Sequence, residues 1–142
     1  MSAPSWFDCT VSSSTLSSAA SAESWLSISA LAAELKVELE TVQSNHEGAL
    51  IDFLHRNMDT ASGAVLNPAG LTQHGVSLHD AIKAMPFPVV EVHMSNIAAR
   101  EAWRGHSIIS PAVKTTIQGM GPQSYLLGLR GIVALARAAA KA

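Results

Sequence analysis

From residue 30 onward the apolar residues switch repeatedly between a two-residue and a helical period. That alternation limits the chain to a strand–helix architecture more than any other feature does. VELETV at 37–42 alternates as a strand. SNHEGALIDFLHRN then places Ser44 three residues before Glu47, the spacing of a capping box, ahead of a Leu50, Phe53, Leu54 stripe. GAVLNPAG reads as a short apolar strand entering a Pro/Gly loop, and VSLHDAIKAM as a helix stopped by Pro86 and Pro88. PVVEVHMS is the most strand-like run. SNIAAREAWR reads as another helix, TTIQG as a weak strand, and residues 122–141 as a long closing helix that contains Gly128 and Gly131. Strands alternating with helices predict an α/β fold, a parallel sheet covered on both faces.

Residues 1–29 differ. They are dominated by Ser and Ala, and residues 12–24 lack a period that could direct burial, so this segment is expected to be poorly ordered and residues 30–142 to form the single domain. FDCTV is a weak strand candidate, and the run around 26–35 a helix. With 142 residues the chain has room for one core. Lys and Arg number 9 and are scattered, and the formal net charge is −2, which argues against a nucleic-acid partner. The charged fraction, 14 %, is low for a monomer and points to subunit contacts. A single cysteine, Cys9, excludes an intramolecular disulfide and suits a reducing compartment. With neither a long apolar run nor a basic-then-apolar leader, the expected location is cytoplasmic, away from the membrane.

In open parallel sheets ligands gather beyond the carboxyl ends of the strands. The polar residues at those ends are Gln43, Ser44 and Asn45, then Asn67, then His93, Ser95 and Asn96. Glu91 and His93 stand two apart on one strand and leave the same face. A carboxylate there can fix the imidazole tautomer, and a protonated histidine at a strand end can serve as a general acid; a structural ion pair is the competing reading. Arg100 and Arg104, four apart on the expected helix, would share a face and could take a carboxylate bidentately, or simply form a solvated face with Glu101. His46, His55, His74, His79, His93 and His106 show no metal-ligand spacing, so no metal is expected.

The strings QSNHEGALIDFLH, GAVLNPAGLT, VSLHDAI, PVVEVHMSNIAARE, WRGHSIISP and SYLLGLRG follow one another as in the type II 3-dehydroquinate dehydratases. Over residues 32–135 the chain resembles that family. The resemblance implies a flavodoxin-like three-layer sandwich with sheet order 2-1-3-4-5, and trimers assembling into a homododecamer. It implies anti elimination of water from 3-dehydroquinate to 3-dehydroshikimate through an enolate, without cofactor or metal, in aromatic biosynthesis or quinate catabolism. By position, His93 resembles the general acid, Glu91 its orienting partner and Asn67 the enolate-side residue. Gln73, Met94, Ser95 and Arg104 stand at substrate-contact positions beside Asn67, and Asp80 resembles the acidic residue that reaches a neighbouring subunit's site.

The chain departs from the pattern in several places. The family's opening strand runs into an NGPNLNLLG-type segment and an Arg-bearing lid with the Tyr base, and residues 1–29 contain none of these. The first strand is therefore expected to be missing or replaced. The one tyrosine is Tyr125 in the closing helix, and the first arginine is Arg56. Thr72-Gln73 replaces the usual Thr-His, with His74 one place late; Ala98 stands where His is common and His79 where Arg is common. The expectation is an impaired dehydratase, with a non-catalytic subunit or small-carboxylate binder of the same fold as the alternative.

Overall fold

The computed structural model describes residues 8–13 and 19–141, with side chains from Leu26 onward. Five strands form one parallel sheet: β1 (Asp8–Ser13), β2 (Glu38–Val42), β3 (Ala61–Asn67), β4 (Val89–His93) and β5 (Thr115–Gln118). Their order, β2-β1-β3-β4-β5, matches the order that the resemblance implies. Among the described residues four α-helices cover it: α1 (Ala19–Leu35), α2 (Glu47–Arg56), α3 (Val76–Ala84) and α4 (Gln123–Ala139).

The pleat of the central strands sorts the core into two layers. Val65, Val90 and Val92 pack with Ile28 and Leu31 of α1 and with Leu129, Ile132 and Val133 of α4. Ala64, Leu66 and Val89 pack with Leu50 and Leu54 of α2 and with Leu78 and Ile82 of α3. Such alternation is what a strand buried on both faces requires. Gly128 explains how α4 tolerates a glycine in mid-helix. A Cβ there would lie 2.8 Å from Val92 Cγ1 and 3.0 Å from Val65 Cγ1, so the missing side chain lets the helix backbone settle onto the sheet.

One open alternative is resolved and three local expectations are revised. The first strand is replaced rather than missing: Asp8–Ser13 fills the slot between β2 and β3 and pairs with both. Helix α1 begins at Ala19, so an ordered element crosses the compositional boundary near residue 30. It ends conventionally, with Lys36 at φ 56 in the left-handed position that follows many helices. Residues 1–7 and 14–18 lie outside the described residues.

The capping box is absent. His46, not Ser44, is the N-cap of α2, and Ser44 Oγ instead accepts from the His46 N–H at 3.0 Å. Glu47 reaches away to α3, where its Oε1 accepts from Leu78 N–H at 2.8 Å, satisfying a free amide in that helix's first turn. Finally, SNIAAREAWR is not a helix. Only Ile97–Ala99 makes a 3-10 turn, capped by the Asn96 side chain on Ala98 N–H, and Gln118 Oε1 accepts from Ile97 N–H. The segment stays at the surface with no apolar stripe to bury, so tertiary packing gives it nothing that would sustain a helix. No helix among the described residues is long and apolar enough to cross a membrane.

Candidate active site

At the carboxyl ends of β3 and β4 a cleft of roughly 650 Å³ is lined by Asn67, Thr72, Gln73, His74, His93, Met94, Ser95, Arg100, Trp103 and Arg104 among others. Asn67 lies on the face of β3 toward α1 and α4, and His93 on the opposite face of β4. The edge of the sheet thus gathers groups from both layers into one opening.

The most heavily constrained part is the carboxylate of Glu91, which is fully buried. Oε1 accepts from His93 Nε2 at 2.7 Å and from Ser107 Oγ at 2.8 Å; Oε2 accepts from Ser110 Oγ at 2.6 Å and from Thr116 Oγ1 at 3.4 Å. Ser107 in turn accepts from the backbone N–H groups of Ile109 and Ser110, both at 3.1 Å. Burial alone pushes this carboxyl up. Hydrogen bonds from His93, Ser110 and Ser107, with the charge of His93, more than offset that and hold it below its ordinary value of 4.5. The buried group therefore stays ionised and pins the imidazole. With Nε2 committed to Glu91, Nδ1 is the ring nitrogen left for a ligand.

Arg100 and Arg104 both line the cleft, although they share no helix. Both approach Glu101, Arg100 at 3.6 Å and Arg104 at 3.9 Å, and the Arg104 guanidinium stacks 4.5 Å from the Trp103 ring centroid. Among the described residues no acidic side chain lines the cleft, so its lining favours an anion.

The structure brings Asn67, Gln73, His93, Met94, Ser95 and Arg104 together around the cleft, with Glu91 behind His93. Gln73 sits on the wall, but its amide is occupied: Nε2 donates to the carbonyls of Arg104 at 3.0 Å and His106 at 3.4 Å. With Ile108 N–H on the Thr72 carbonyl at 2.9 Å, it ties the two loops that form the wall. Asp80 is away from the cleft, exposed on the surface of α3, 3.0 Å from His79 Nδ1. Tyr125 is 2 % exposed and receives a hydrogen bond from Asn67 Nδ2 at 2.8 Å. Sequence reasoning missed Ser107, Ser110 and Thr116. The repeated hydroxyls of HSIIS, three apart, were the available signal, but only the fold shows that they converge on Glu91. Among the described residues, no group of three His, Cys, Asp or Glu side chains is arranged to hold a metal ion.

Comparison with known proteins decides the family. The model for class II dehydroquinases matches residues 15–133. The chain belongs to that family. The 3-dehydroquinate dehydratase of Gloeobacter violaceus is 50 % identical over 106 residues, 75 % of this chain and 66 % of that protein. The one from Halothermothrix orenii is 48 % identical over 99 residues, 70 % of this chain and 67 % of its own. The chain thus matches about two thirds of the length of these relatives. Among solved structures, the type II dehydroquinase of Propionibacterium acnes superposes with a TM-score of 0.78 at 26 % identity, covering 91 % of this chain and 96 % of that one. That of Butyrivibrio crossotus gives a TM-score of 0.80 at 24 % identity, over 89 % and 96 %, a likeness of fold. The flavodoxin-like sheet that the resemblance implied is the family's fold.

Proposed function

We propose that this dehydroquinase binds 3-dehydroquinate in the cleft and retains the acid half of the dehydration, at a rate far below that of its complete relatives. The observation that carries this is the Glu91–His93 pair at the mouth of a cationic cleft. In this reading Arg104 takes the carboxylate or a ring hydroxyl of the substrate, and Met94 and Ser95 hold it. His93 Nδ1–H protonates the leaving hydroxyl, oriented by Glu91, and Asn67 donates to the developing enolate oxygen. No cofactor or metal is invoked, and Asp80 would act across a subunit contact of a homo-oligomer.

The rate limit comes from the β1 end. Residues 14–18, between β1 and α1, are Ser, Thr, Leu, Ser and Ser, with no ionisable side chain. The one tyrosine is buried against Asn67 and is not part of the cleft lining. A base in that position is therefore lacking, and the same observation supports the second reading, carboxylate binding without turnover.

Calorimetric titration with quinate tests the shared part of both readings. Weak binding is expected. Arg104→Ala should reduce it by roughly one to two powers of ten, the cost of a charge-assisted hydrogen bond. Binding unaffected by that substitution would refute the site.

A further inference from the structure

We infer that Tyr125, the chain's one tyrosine, is a positioning residue that sets which end of the Asn67 carboxamide faces the cleft. Asn67 ends β3 and is only 4 % exposed. Its Oδ1 accepts from the backbone N–H of Ala69 at 3.0 Å, and its Nδ2 donates to Tyr125 Oη at 2.8 Å. The backbone amide can only donate, so the carboxamide oxygen must stand on the Ala69 side. The nitrogen then falls to the tyrosine. One of its two hydrogens is spent there, and the other is the donor that the amide can offer to the cleft.

Neither partner can trade this arrangement for water, because both are almost wholly buried. Tyr125 is packed among Val65, Val92 and Leu129, so its hydroxyl is a fixed point that reaches across 58 residues of sequence. Without that hydroxyl, a buried N–H would lose its partner and the amide would be free to tilt or turn. A turned amide would present an acceptor where an anion needs a donor. This role rests on the proposed function insofar as the anion is the ligand's developing oxyanion, but the orientation of the amide can be tested without any ligand.

The test compares the wild type with Tyr125→Phe, which keeps the ring and removes only the hydroxyl. In unliganded ¹⁵N-labelled protein, the Asn67 side-chain hydrogens should exchange with solvent far more slowly than those of exposed Asn45. In Tyr125→Phe that exchange should quicken by about tenfold, the equivalent of one lost hydrogen bond, and the resonances should move. The buried Asn57 amide, which donates to the Phe53 carbonyl at 3.1 Å, should not change and reports on the intact fold. Quinate affinity should fall by about tenfold with it, which a purely structural hydroxyl would not cause. Wild-type Asn67 hydrogens that exchange as fast as those of Asn45 overturn the inference, even if the variant does not fold. So do Asn67 resonances unchanged in a folded variant. Failure of the wild type to bind quinate would count against the proposed function, with amide exchange still deciding the role of Tyr125.

Discussion

The carboxyl ends of β4 and β1 are built to different standards. At the β4 end one carboxylate collects four donors from β4, β5 and the 107–110 turn, and every donor has a stated partner. After β1 the sequence runs Ser, Thr, Leu, Ser, Ser, and none of these side chains ionises at neutral pH. The strand itself still fills its slot and pairs on both sides. Backbone pairing can accept a substitute strand of almost any composition, because its hydrogen bonds come from the main chain. Catalysis cannot, because a base is a particular side chain at a particular place. On the proposed function, the fold has outlasted half of its chemistry.

The contrast can be broken first at the β4 end. If the chain retains any dehydration, His93→Ala should remove it by at least about a hundredfold, within the range typical of general acid–base catalysis. His55→Ala, on the exposed side of α2, should leave the rate unchanged. Equal effects of the two substitutions would show that His93 is not the acid.

Glu91→Gln should cost about 1.5–3 kcal/mol of stability at neutral pH, because the substitution removes charge from a hub of hydrogen bonds. The sign of its pH dependence follows from the lowered carboxyl. Glu91 contributes stability that is complete above its unfolded value, near 4.5, and is lost as pH falls through the lower folded value. The gap between the denaturation curves of wild type and variant should therefore narrow as pH falls below 4.5 and close only beneath the lowered folded value. A gap that persists there would mean that the loss is one of packing, not ionisation.

Gly128→Ala tests the scaffold beneath both ends. The added methyl meets two core valines at 2.8 and 3.0 Å, and should cost about 1–3 kcal/mol in thermal or chemical unfolding. Quinate affinity should not change in the folded fraction. Smallest of all is Arg56→Ala. It removes an exposed pair to Glu40 at 2.9 Å, and should move stability by less than about 1 kcal/mol.

What the sequence made legible follows the same division. β4, α3 and the shared face of Glu91 and His93 were readable because periodicity and a two-residue spacing dictate them locally. The sheet order came through resemblance. The errors arose where a local signal was outweighed from elsewhere in the fold. Glu47 has the spacing of a capping box but caps another helix. Residues 95–104 have helical composition, yet Asn96 and Gln118 tie them into a turn. The hydroxyl cage of Glu91 and the Asn67–Tyr125 bond join residues 16 to 58 positions apart, and no spacing rule reaches that far. The opening strand was legible only as FDCTV, since a Ser-rich stretch carries little period.

The central claim is that the acid half of the site persists without its base. Absorbance of 3-dehydroshikimate, followed for the purified chain beside the Gloeobacter violaceus relative, tests it most directly. The prediction is turnover at least about a thousandfold slower than the relative, in a sample that still binds quinate and unfolds cooperatively. Turnover within tenfold of the relative would contradict the account, and would require a base supplied from another part of the molecule.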